Sequence, residues 1–171
     1  MRSEWTSKDM LNHVFAALTR PNRLACQVSE ITGLRIGDVL RLKPEYLTSN
    51  NGRFTIKEEK TGKSRRVYLP GWLRALLLRQ CGKFWVFEGR CDIKKHRTRQ
   101  AVFKDLRRAA RAFRCVEHIS PHSMRKIYAV EMYHRHGKNL AKVQSLLNHS
   151  DEAVTMIYAM ADVLTNRNLK P

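Results

Sequence analysis

Apolar residues recur every three or four positions through the first third of the chain, a spacing that predicts amphipathic helices. The stretch TSKDMLNHVFAAL fits one helix with its N-cap at Thr6 or Ser7, and RLACQVSEITG fits a second helix that ends at Gly33. A third, short helix is predicted within IGDVLRL and is ended by Pro44. The N-terminal third is therefore expected to be helical.

The pattern changes to a β type in YLTSNNGRFTIKEEKTGKSRRVYLP. Asn51-Gly52 marks one turn and KTGKS marks another, and the residues between them favour strands. We expect a small antiparallel sheet of two or three strands, with Lys60 at the tip of its second hairpin.

Helical patterns resume after Pro70. GWLRALLLRQ predicts one helix, KFWVFEG predicts a short buried run, and HRTRQAVFKDLRRAARAF predicts a long helix capped by Thr98. The apolar residues of this long helix lie near helical spacing: Ala101, Val102, Leu106, Ala109, Ala110 and Phe113. Its remaining surface is almost entirely Arg and Lys.

Three further helices are predicted in the last third. SPHSMRKIYAVEMYHRHG has Ser120 as N-cap and Pro121 as its first helical residue, and it ends at Gly137. NLAKVQSLLNH and SDEAVTMIYAM complete the set. With 171 residues, 43% of them hydrophobic, the chain is expected to form one domain of the α+β class, mainly α, with a small antiparallel sheet or hairpin at one edge.

The charge of the chain indicates a polyanionic partner. Lys and Arg number 33 against 15 Asp and Glu, which gives a formal charge of +18 and a pI near 10.4. Each phosphate that a Lys or Arg neutralises releases counterions, which favours nucleic acid as the partner. A membrane surface would attract the same charge, but no single amphipathic basic helix collects it.

The cysteines and the apolar runs narrow the class further. Cys26, Cys81, Cys91 and Cys115 lie far apart without a C-x-x-C pair, which argues against a zinc cluster or a redox dithiol and favours reduced thiols. MRSEWTSKDM lacks the apolar stretch of a signal peptide, and no run approaches the ~20 apolar residues of a membrane span. We expect a soluble protein of the cytoplasm, where it would associate with the nucleoid or act in the cytoplasm of a host cell.

One candidate for chemistry is SPHSMRK. His122 and Arg125 are one helical turn apart at the start of a helix, where free backbone N–H groups and the helix dipole favour an anion such as phosphate. A histidine and an arginine on a solvated helix face would produce the same pattern.

Two more candidates precede it. Arg35 follows Gly33, with Asp38 one helical turn on to orient the guanidinium, and a planar bidentate donor suits a phosphodiester. An ordinary salt-bridged arginine would look the same. In the second hairpin, Lys60 and Lys63 compete for the role of a mobile ammonium that delivers a proton, against the simpler role of solubilising turn residues.

The last candidate is LLNHSDEAVTMIYAM, in which Tyr158 follows His149. A tyrosine on an amphipathic helix is usually a packing residue, so taken alone Tyr158 leaves core and chemistry open. Val154 and Ile157 are the better candidates for the packing face of this helix.

In this order, the segments resemble the catalytic domain of the tyrosine recombinases, the phage integrase family. TGLRIGDVL resembles the family's first-arginine box, KTGKSRRVYLP resembles its β-hairpin segment with Lys60 at the catalytic position, and PHSMR resembles its P-H-x-L-R box with Met124 in place of leucine. NLAKVQSLLNHSDEAVTMIYAM resembles its closing segment, with Asn148 in place of a glycine. Asn tolerates the left-handed conformation well, so this replacement is expected to have little effect.

The resemblance implies a site-specific DNA recombinase or integrase that cuts and rejoins strands through a covalent 3'-phosphotyrosine, without ATP. Tyr158 would be the nucleophile. Roles are also implied for six other residues: Arg35, Arg125 and His149 would stabilise the phosphate, Lys60 would protonate the leaving oxygen, His122 would take the tyrosine proton, and Asp38 would support the site. No metal or other cofactor is implied.

The implied partner is double-stranded DNA, on which a homo-tetramer is expected to assemble. Without DNA a monomer is one possible state, and the sequence leaves the oligomeric state off DNA open. Contacts to the DNA backbone are expected from Lys63, Lys94, Lys95, Arg97 and Arg99, although a solvated surface accounts equally well for about half of such basic residues.

Residues 1–171 would form one catalytic domain without the N-terminal DNA-clamping domain of many members, either as a fragment of a longer recombinase or as a minimal enzyme carried by a mobile element. Residues 159–171 would form a tail exchanged between protomers. Two alternatives stay open: DNA relaxation of the type IB topoisomerase kind, and a non-catalytic DNA-binding module that has kept the fold.

Overall fold

Eight α-helices and one β-hairpin make up the part of the chain that the computed structural model describes, residues 8–115 and 119–148. The helices are α1 (Lys8–Ala16), α2 (Arg20–Thr32), α3 (Ile36–Leu40), α4 (Glu45–Thr48), α5 (Gly71–Leu78), α6 (Arg99–Ala112), α7 (Pro121–Arg135) and α8 (Leu140–Leu147). The strands are β1 (Arg53–Lys57) and β2 (Ser64–Tyr68). The α+β architecture with a small antiparallel sheet, predicted from the residue pattern, is confirmed.

The core is built around α2, which contacts α3, α5, α6 and α7. Its buried face includes Leu24, Ala25 and Val28, and these join one large apolar cluster that extends from α1 to α7. A smaller cluster of Tyr128, Ala129, Val143 and Leu147 fixes α8 against α7. Full burial of a Leu or Val side chain contributes about 1.5–3 kcal/mol, so the position of α2 is strongly determined by packing.

Three helix ends follow their predicted caps, whereas the predicted cap of α1 at Thr6 or Ser7 lies outside the described residues. Gly33 ends α2 in the left-handed conformation with φ of 66°. Thr98 Oγ1 accepts a hydrogen bond from the backbone N–H of Ala101 at 3.1 Å, and Ser120 caps α7 in a reciprocal capping box. α2 begins earlier than predicted, at Arg20, because a proline follows in its first turn, where the missing N–H costs nothing.

The sheet of the described residues has two strands. β1 and β2 pair antiparallel, with Arg53 opposite Tyr68 and Lys57 opposite Ser64. The predicted turn at Asn51-Gly52 is present but belongs to a 3-10 turn that joins α4 to β1, so it is not a hairpin turn. A helix forms here instead of a third strand because Pro44 occupies the start of α4 in a helical conformation and α4 buries Leu47.

Two apolar segments are less buried than predicted. On α6, Val102, Leu106, Ala109 and Ala110 are buried, whereas Phe113 is 42% exposed and stacks on the ring of His13. In KFWVFEG, Val86 and Phe87 are buried but Phe84 is exposed. This segment forms no strand, and Glu88 makes an isolated antiparallel β-bridge with His96.

Asp105 on α6 joins this helix to the turn between α1 and α2. Its carboxylate accepts hydrogen bonds from Thr19, Asn22 and Arg108 at 2.7–3.0 Å. Burial by itself would raise the pKa of Asp105, but these hydrogen bonds outweigh burial and lower the pKa to about 2. The ionised carboxylate is therefore part of what holds α6 in place.

Candidate active site

A cleft of about 470 Å³ opens between the start of α3, the β-hairpin loop and the N-terminal ends of α6 and α7. We call it the central cleft. It is lined by Arg35, Ile36, Gly37, Asp38, Glu59, Lys60, Arg99, Pro121, His122 and Arg125. Four of the predicted catalytic residues, from three separate segments of the chain, therefore share one cavity: Arg35, Lys60, His122 and Arg125.

Arg35 reaches the cleft because the chain turns sharply after α2. Gly33 supplies the left-handed turn, and Arg35 then stands as the N-cap residue of α3 in an extended conformation. Its Nη1 forms an ion pair with Glu58 Oε2 at 3.0 Å, and its side chain is only 11% exposed. The guanidinium is thus fixed at the cleft by a carboxylate of the hairpin.

Arg125 is the largest fully buried side chain of the described residues, with 1% of its surface exposed. Its Nη1 donates to the carbonyl of Gly33 at 2.7 Å, and its Nη2 donates to the carbonyl of Leu147 at 2.8 Å. These carbonyls lie at the C-terminal ends of α2 and α8, where the helix dipoles favour a cation. Arg125 therefore joins three helices at the floor of the cleft.

Arg65 connects Arg35 and Arg125, two of the cleft arginines, because it shares an acceptor group with each. Its Nη1 donates to the carbonyl of Gly33 at 3.1 Å and contacts Glu58 Oε1 at 3.4 Å, and its Nη2 donates to the carbonyl of Thr32. Gly33 also holds Arg125, and Glu58 also holds Arg35. A continuous polar network thus runs from one side of the cleft to the other.

Glu58 and Arg65 were missed by the sequence interpretation, although the strands carry a signal for both. Phe54, Ile56 and Glu58 alternate with exposed residues, as do Arg65 and Val67. A charged residue at an inward position of an alternating strand must find a partner, because an unpaired buried charge is costly. Glu58 is 1% exposed and Arg65 is 7% exposed, so the alternation placed both inside.

The hairpin loop carries Lys60 to the cleft. The loop is closed by backbone hydrogen bonds from Glu58 N–H to Lys63 O at 3.0 Å and from Gly62 N–H to Glu58 O at 2.9 Å. Gly62 takes φ of 64°, a conformation open to glycine. Both lysines are exposed, but Lys60 lines the cleft and Lys63 does not, so the geometry favours Lys60 as the lysine of the site.

Asp38 holds the same loop from the other side. Its Oδ1 accepts a hydrogen bond from the backbone N–H of Glu59 at 2.9 Å, and the residue is 6% exposed. Burial raises the pKa of Asp38, with Glu58 adding to the rise and with the Glu59 N–H and Arg35 opposing it. The expectation was that Asp38 would orient Arg35, but the carboxylate paired with that guanidinium is Glu58.

His122 lies in the first turn of α7, with its side chain exposed at the cleft. The predicted Ser120 cap places it there, since Ser120 Oγ accepts from the backbone N–H of His122 at 3.3 Å. His122 and Arg125 therefore share a face of α7, as their spacing predicts. The His122 side chain is exposed at the cleft, and the Arg125 side chain is buried against two backbone carbonyls.

His149 and Tyr158 lie outside the described residues. The preceding residue, Asn148, ends α8 in the left-handed conformation with φ of 55°. This confirms that Asn148 adopts the left-handed conformation at the position where the closing segment of the tyrosine recombinases usually has a glycine.

The predicted DNA-contacting residues fall in three settings. Lys63, Lys94 and Lys95 are exposed. Arg97 is half-buried, its Nε donates to Asn22 Oδ1 at 2.5 Å, and burial lowers its pKa. Arg99 lies in the central cleft, where a side chain on Gly37 would come within 3.5 Å of it. The Arg97 side chain is thus held by Asn22 within the protein. Arg99, predicted to contact the DNA backbone, lines the same cleft as the predicted catalytic residues.

Within 8–115 and 119–148, no group of three or more His, Cys, Asp or Glu is arranged to hold a metal ion. The helices in those ranges are all too short or too polar to cross a bilayer.

Two solved structures with the same fold are those of an integrase and a recombinase. A λ integrase dimer bound to a COC' core site superposes with a TM-score of 0.70 and 20% identity, covering 91% of this chain and 59% of that chain. The XerA recombinase superposes with a TM-score of 0.69 and 18% identity, covering 98% of this chain and 64% of that one. At these identities the likeness establishes the fold, that of a tyrosine-recombinase catalytic domain.

Sequence comparisons establish the family. The tyrosine recombinase XerD of Rhizobium meliloti is 35% identical over 74% of this chain and 43% of its own length. A probable integrase/recombinase of Bacillus subtilis, YoeC, is 31% identical over 80% of this chain and 75% of its own length. The chain spans about half the length of most of its curated relatives, for example 57% and 56% of two others. The model of the phage integrase family matches residues 4–164, and the chain belongs to that family.

Proposed function

We propose that this domain is the catalytic domain of a site-specific DNA recombinase that cuts and rejoins strands through a phosphotyrosine at Tyr158. The observation that carries the proposal is the convergence of Arg35, Lys60, His122 and Arg125 on one cleft. These residues come from the α2–α3 turn, the hairpin loop and α7, so local structure alone does not explain their meeting.

Cations fixed beforehand are what phosphoryl transfer requires. The transition state carries charge on its non-bridging oxygens, and donors that need no reorganisation stabilise it most. Arg35 and Arg125 are held by ion pairs and carbonyls, which removes the entropic cost of positioning them during the reaction. His149 donates a further hydrogen bond to the same phosphate.

In strand cleavage, one bond to phosphorus forms as another breaks, and the residues named here accept and supply the two protons that move. The Tyr158 oxygen bonds to phosphorus while the bond between phosphorus and the 5'-oxygen breaks. The tyrosine proton passes to His122, and the 5'-oxygen takes a proton from Lys60. Free tyrosine has a pKa of about 10, so a cationic cleft and a nearby base are needed to make it a nucleophile near neutral pH. Asp38 supports this step by holding the backbone of the lysine loop.

Lys63, Lys94, Lys95, Arg97 and Arg99 form the proposed DNA-contacting set. Exposure of the three lysines supports a role in tracking the phosphate backbone. The position of Arg99 in the cleft supports a contact at or next to the scissile phosphate.

Residues 159–171 form the proposed exchanged tail of a single domain, and four protomers assemble on double-stranded DNA. A second cavity, of about 530 Å³, supports this by offering a receiving groove between β2, α7 and α8, lined in part by Tyr68, Tyr128, Met132 and Leu146. Deletion of residues 159–171 should abolish the tetramer on DNA while leaving DNA binding by the monomer. An unchanged tetramer would contradict the proposal.

The test is a covalent-adduct assay. Duplexes nicked near the cleavage point, drawn from the genomic flanks of the gene, are incubated with protein in EDTA without ATP. A protein–DNA adduct is expected for the wild type and for Tyr46→Phe, a control at a half-buried tyrosine of α4 that lines neither cavity, and it should be absent for Tyr158→Phe. An adduct with Tyr158→Phe would refute the assigned nucleophile. Relaxation of supercoiled plasmid without site preference would indicate the topoisomerase alternative.

A further inference from the structure

Glu58 is a buried carboxylate at the end of β1, beside the loop that carries Lys60 to the central cleft. Its side chain is fully buried. Oε2 accepts from Arg35 Nη1 at 3.0 Å and from Thr61 Oγ1 at 3.0 Å, while Oε1 lies 3.4 Å from Arg65 Nη1. One carboxylate thus contacts a proposed catalytic arginine, a second arginine and the loop that carries Lys60.

We propose that Glu58 is a positioning residue that couples the orientation of Arg35 to the closed conformation of the Lys60 loop. The inference rests on the proposed strand-cleavage function of the cleft. It assigns to Glu58 no contact with DNA. Its action is on the two groups that would meet the phosphate and the leaving oxygen.

The loop geometry supports the coupling. Lys60 lies between Glu58 and Thr61 in sequence. The Thr61 hydroxyl donates a hydrogen bond to the Glu58 carboxylate at 3.0 Å, which links the chain on the two sides of Lys60. The backbone N–H and C=O of Glu58 also close the loop, through Lys63 and Gly62. A loop held at these points keeps its lysine near the cleft, whereas an open loop would let that lysine move into solvent.

The energetics support retention of the charge at Glu58. Burying a carboxylate is expensive unless several donors pair with it, and here two guanidinium groups and a hydroxyl do so. Arg35 and Arg65 are 11% and 7% exposed, so removing Glu58 leaves two poorly hydrated cations without this counter-ion. Arg35 would then lose the ion pair that holds its Nη1 at 3.0 Å from the hairpin carboxylate.

A role through total charge and a role through positioning predict opposite changes in the cleavage rate of Glu58→Gln. The substitution removes one negative charge next to the cleft and so raises the net charge by one. If total charge governed the reaction, DNA binding would be tighter and cleavage would be faster. If Glu58 acts by positioning, DNA binding stays equal or strengthens, but the rate of adduct formation at saturating DNA falls. A displacement of about 1 Å in a catalytic group can cost about 100-fold in rate.

The experiment compares wild type, Glu58→Gln, Thr61→Val and Lys60→Ala, with Glu45→Gln as a control at an exposed carboxylate of α4. Each is given the nicked duplex with the ordinary 5'-oxygen and the same duplex with sulfur at the 5'-bridging position. A thiolate leaves without a proton, so a defect caused by loss of the general acid shrinks on the sulfur substrate. Thermal unfolding checks that each variant is folded.

We expect Glu58→Gln to slow cleavage of the oxygen substrate by about 10- to 100-fold with unchanged or tighter DNA binding. We expect Thr61→Val to slow it less, and the sulfur substrate to restore Thr61→Val and Lys60→Ala and to restore Glu58→Gln in part, leaving the share due to Arg35. Thr61 is in the loop and outside the core, so Thr61→Val tests the coupling even if Glu58→Gln does not fold.

Two outcomes would overturn the inference while leaving the function intact: wild-type rates for both Glu58→Gln and Thr61→Val, or equal defects on the oxygen and sulfur substrates. Failure of the function itself is distinct, because the folded wild type would then form no adduct with either substrate.

Discussion

The Tyr128 ring occupies the space where a side chain on Gly33 would lie, since a Cβ at Gly33 would be 2.3 Å from Tyr128 Cδ1. The φ of Gly33 is also positive, at 66°. Its carbonyl holds both Arg65 and Arg125. One glycine thus combines a left-handed turn, a close approach of α7 and a shared acceptor for two arginines.

Gly33→Ala is therefore expected to destabilise the fold and to impair cleavage. Backbone strain at positive φ costs about 1–3 kcal/mol, and the overlap with Tyr128 adds about 1–3 kcal/mol. The free energy of unfolding in denaturant, measured for alanine variants of two other glycines, separates the backbone strain from the overlap with Tyr128. Gly137→Ala, with φ of 63° and open space around it, should show strain alone, and Gly71→Ala, with open space and no positive φ, should show neither. Equal losses at Gly33 and Gly137 would contradict the clash.

Arg125→Lys should lose most of the cleavage rate even though the charge is kept. An ammonium cannot span the carbonyls of Gly33 and Leu147 as the planar guanidinium does. Loss of one preorganised donor typically costs about 100- to 1,000-fold in rate, which sets the expected size. Single-turnover adduct formation at saturating DNA measures it, with Arg79→Lys as an exposed control on the far end of α5. A rate within a few-fold of wild type would remove Arg125 from the mechanism.

The stability of the domain should fall in acid through Asp105. Its pKa is about 2 in the folded state, below the usual value of about 3.9 for the unfolded chain. The ionised form is therefore favoured by folding, and its contribution is complete above about pH 4 and lost as the pH falls toward 2. Denaturant unfolding at several pH values should show a smaller acid loss in Asp105→Asn, which lacks this titration. Identical pH slopes would show that other carboxylates govern the acid loss.

Lys94 and Lys95 should contribute salt-sensitive DNA affinity without affecting chemistry. Each lysine that neutralises a phosphate adds about 0.9 to the slope of log affinity against log salt. Lys95 has only a long, exposed contact with Asp92 at 3.8 Å, which competes weakly with DNA. Alanine at both positions should reduce the slope by nearly two in a titration by fluorescence anisotropy, while Lys142→Ala on α8 should leave it unchanged. An unaltered slope in the double variant would place this loop away from DNA.

The helices and their ends could be predicted from the sequence because the forces that set them are local. Caps at Gly33, Thr98 and Ser120 act within one turn, and amphipathic spacing acts over three or four residues. Where a local signal was ambiguous, the prediction was less good. The turn at Asn51-Gly52 fits a hairpin in sequence, but burial of Leu47 made the preceding segment helical.

The order of motifs was sufficient to predict the family, and four of the residues that it marked as catalytic, Arg35, Lys60, His122 and Arg125, meet in the central cleft. Only the tertiary structure decided which groups hold those residues. Arg35 pairs with Glu58 across 23 positions, and Arg125 donates to Gly33 across 92. Such partners depend on how α2, α7 and the hairpin pack together, because burial of their apolar faces brings the charges within hydrogen-bonding distance and makes their pairing obligatory.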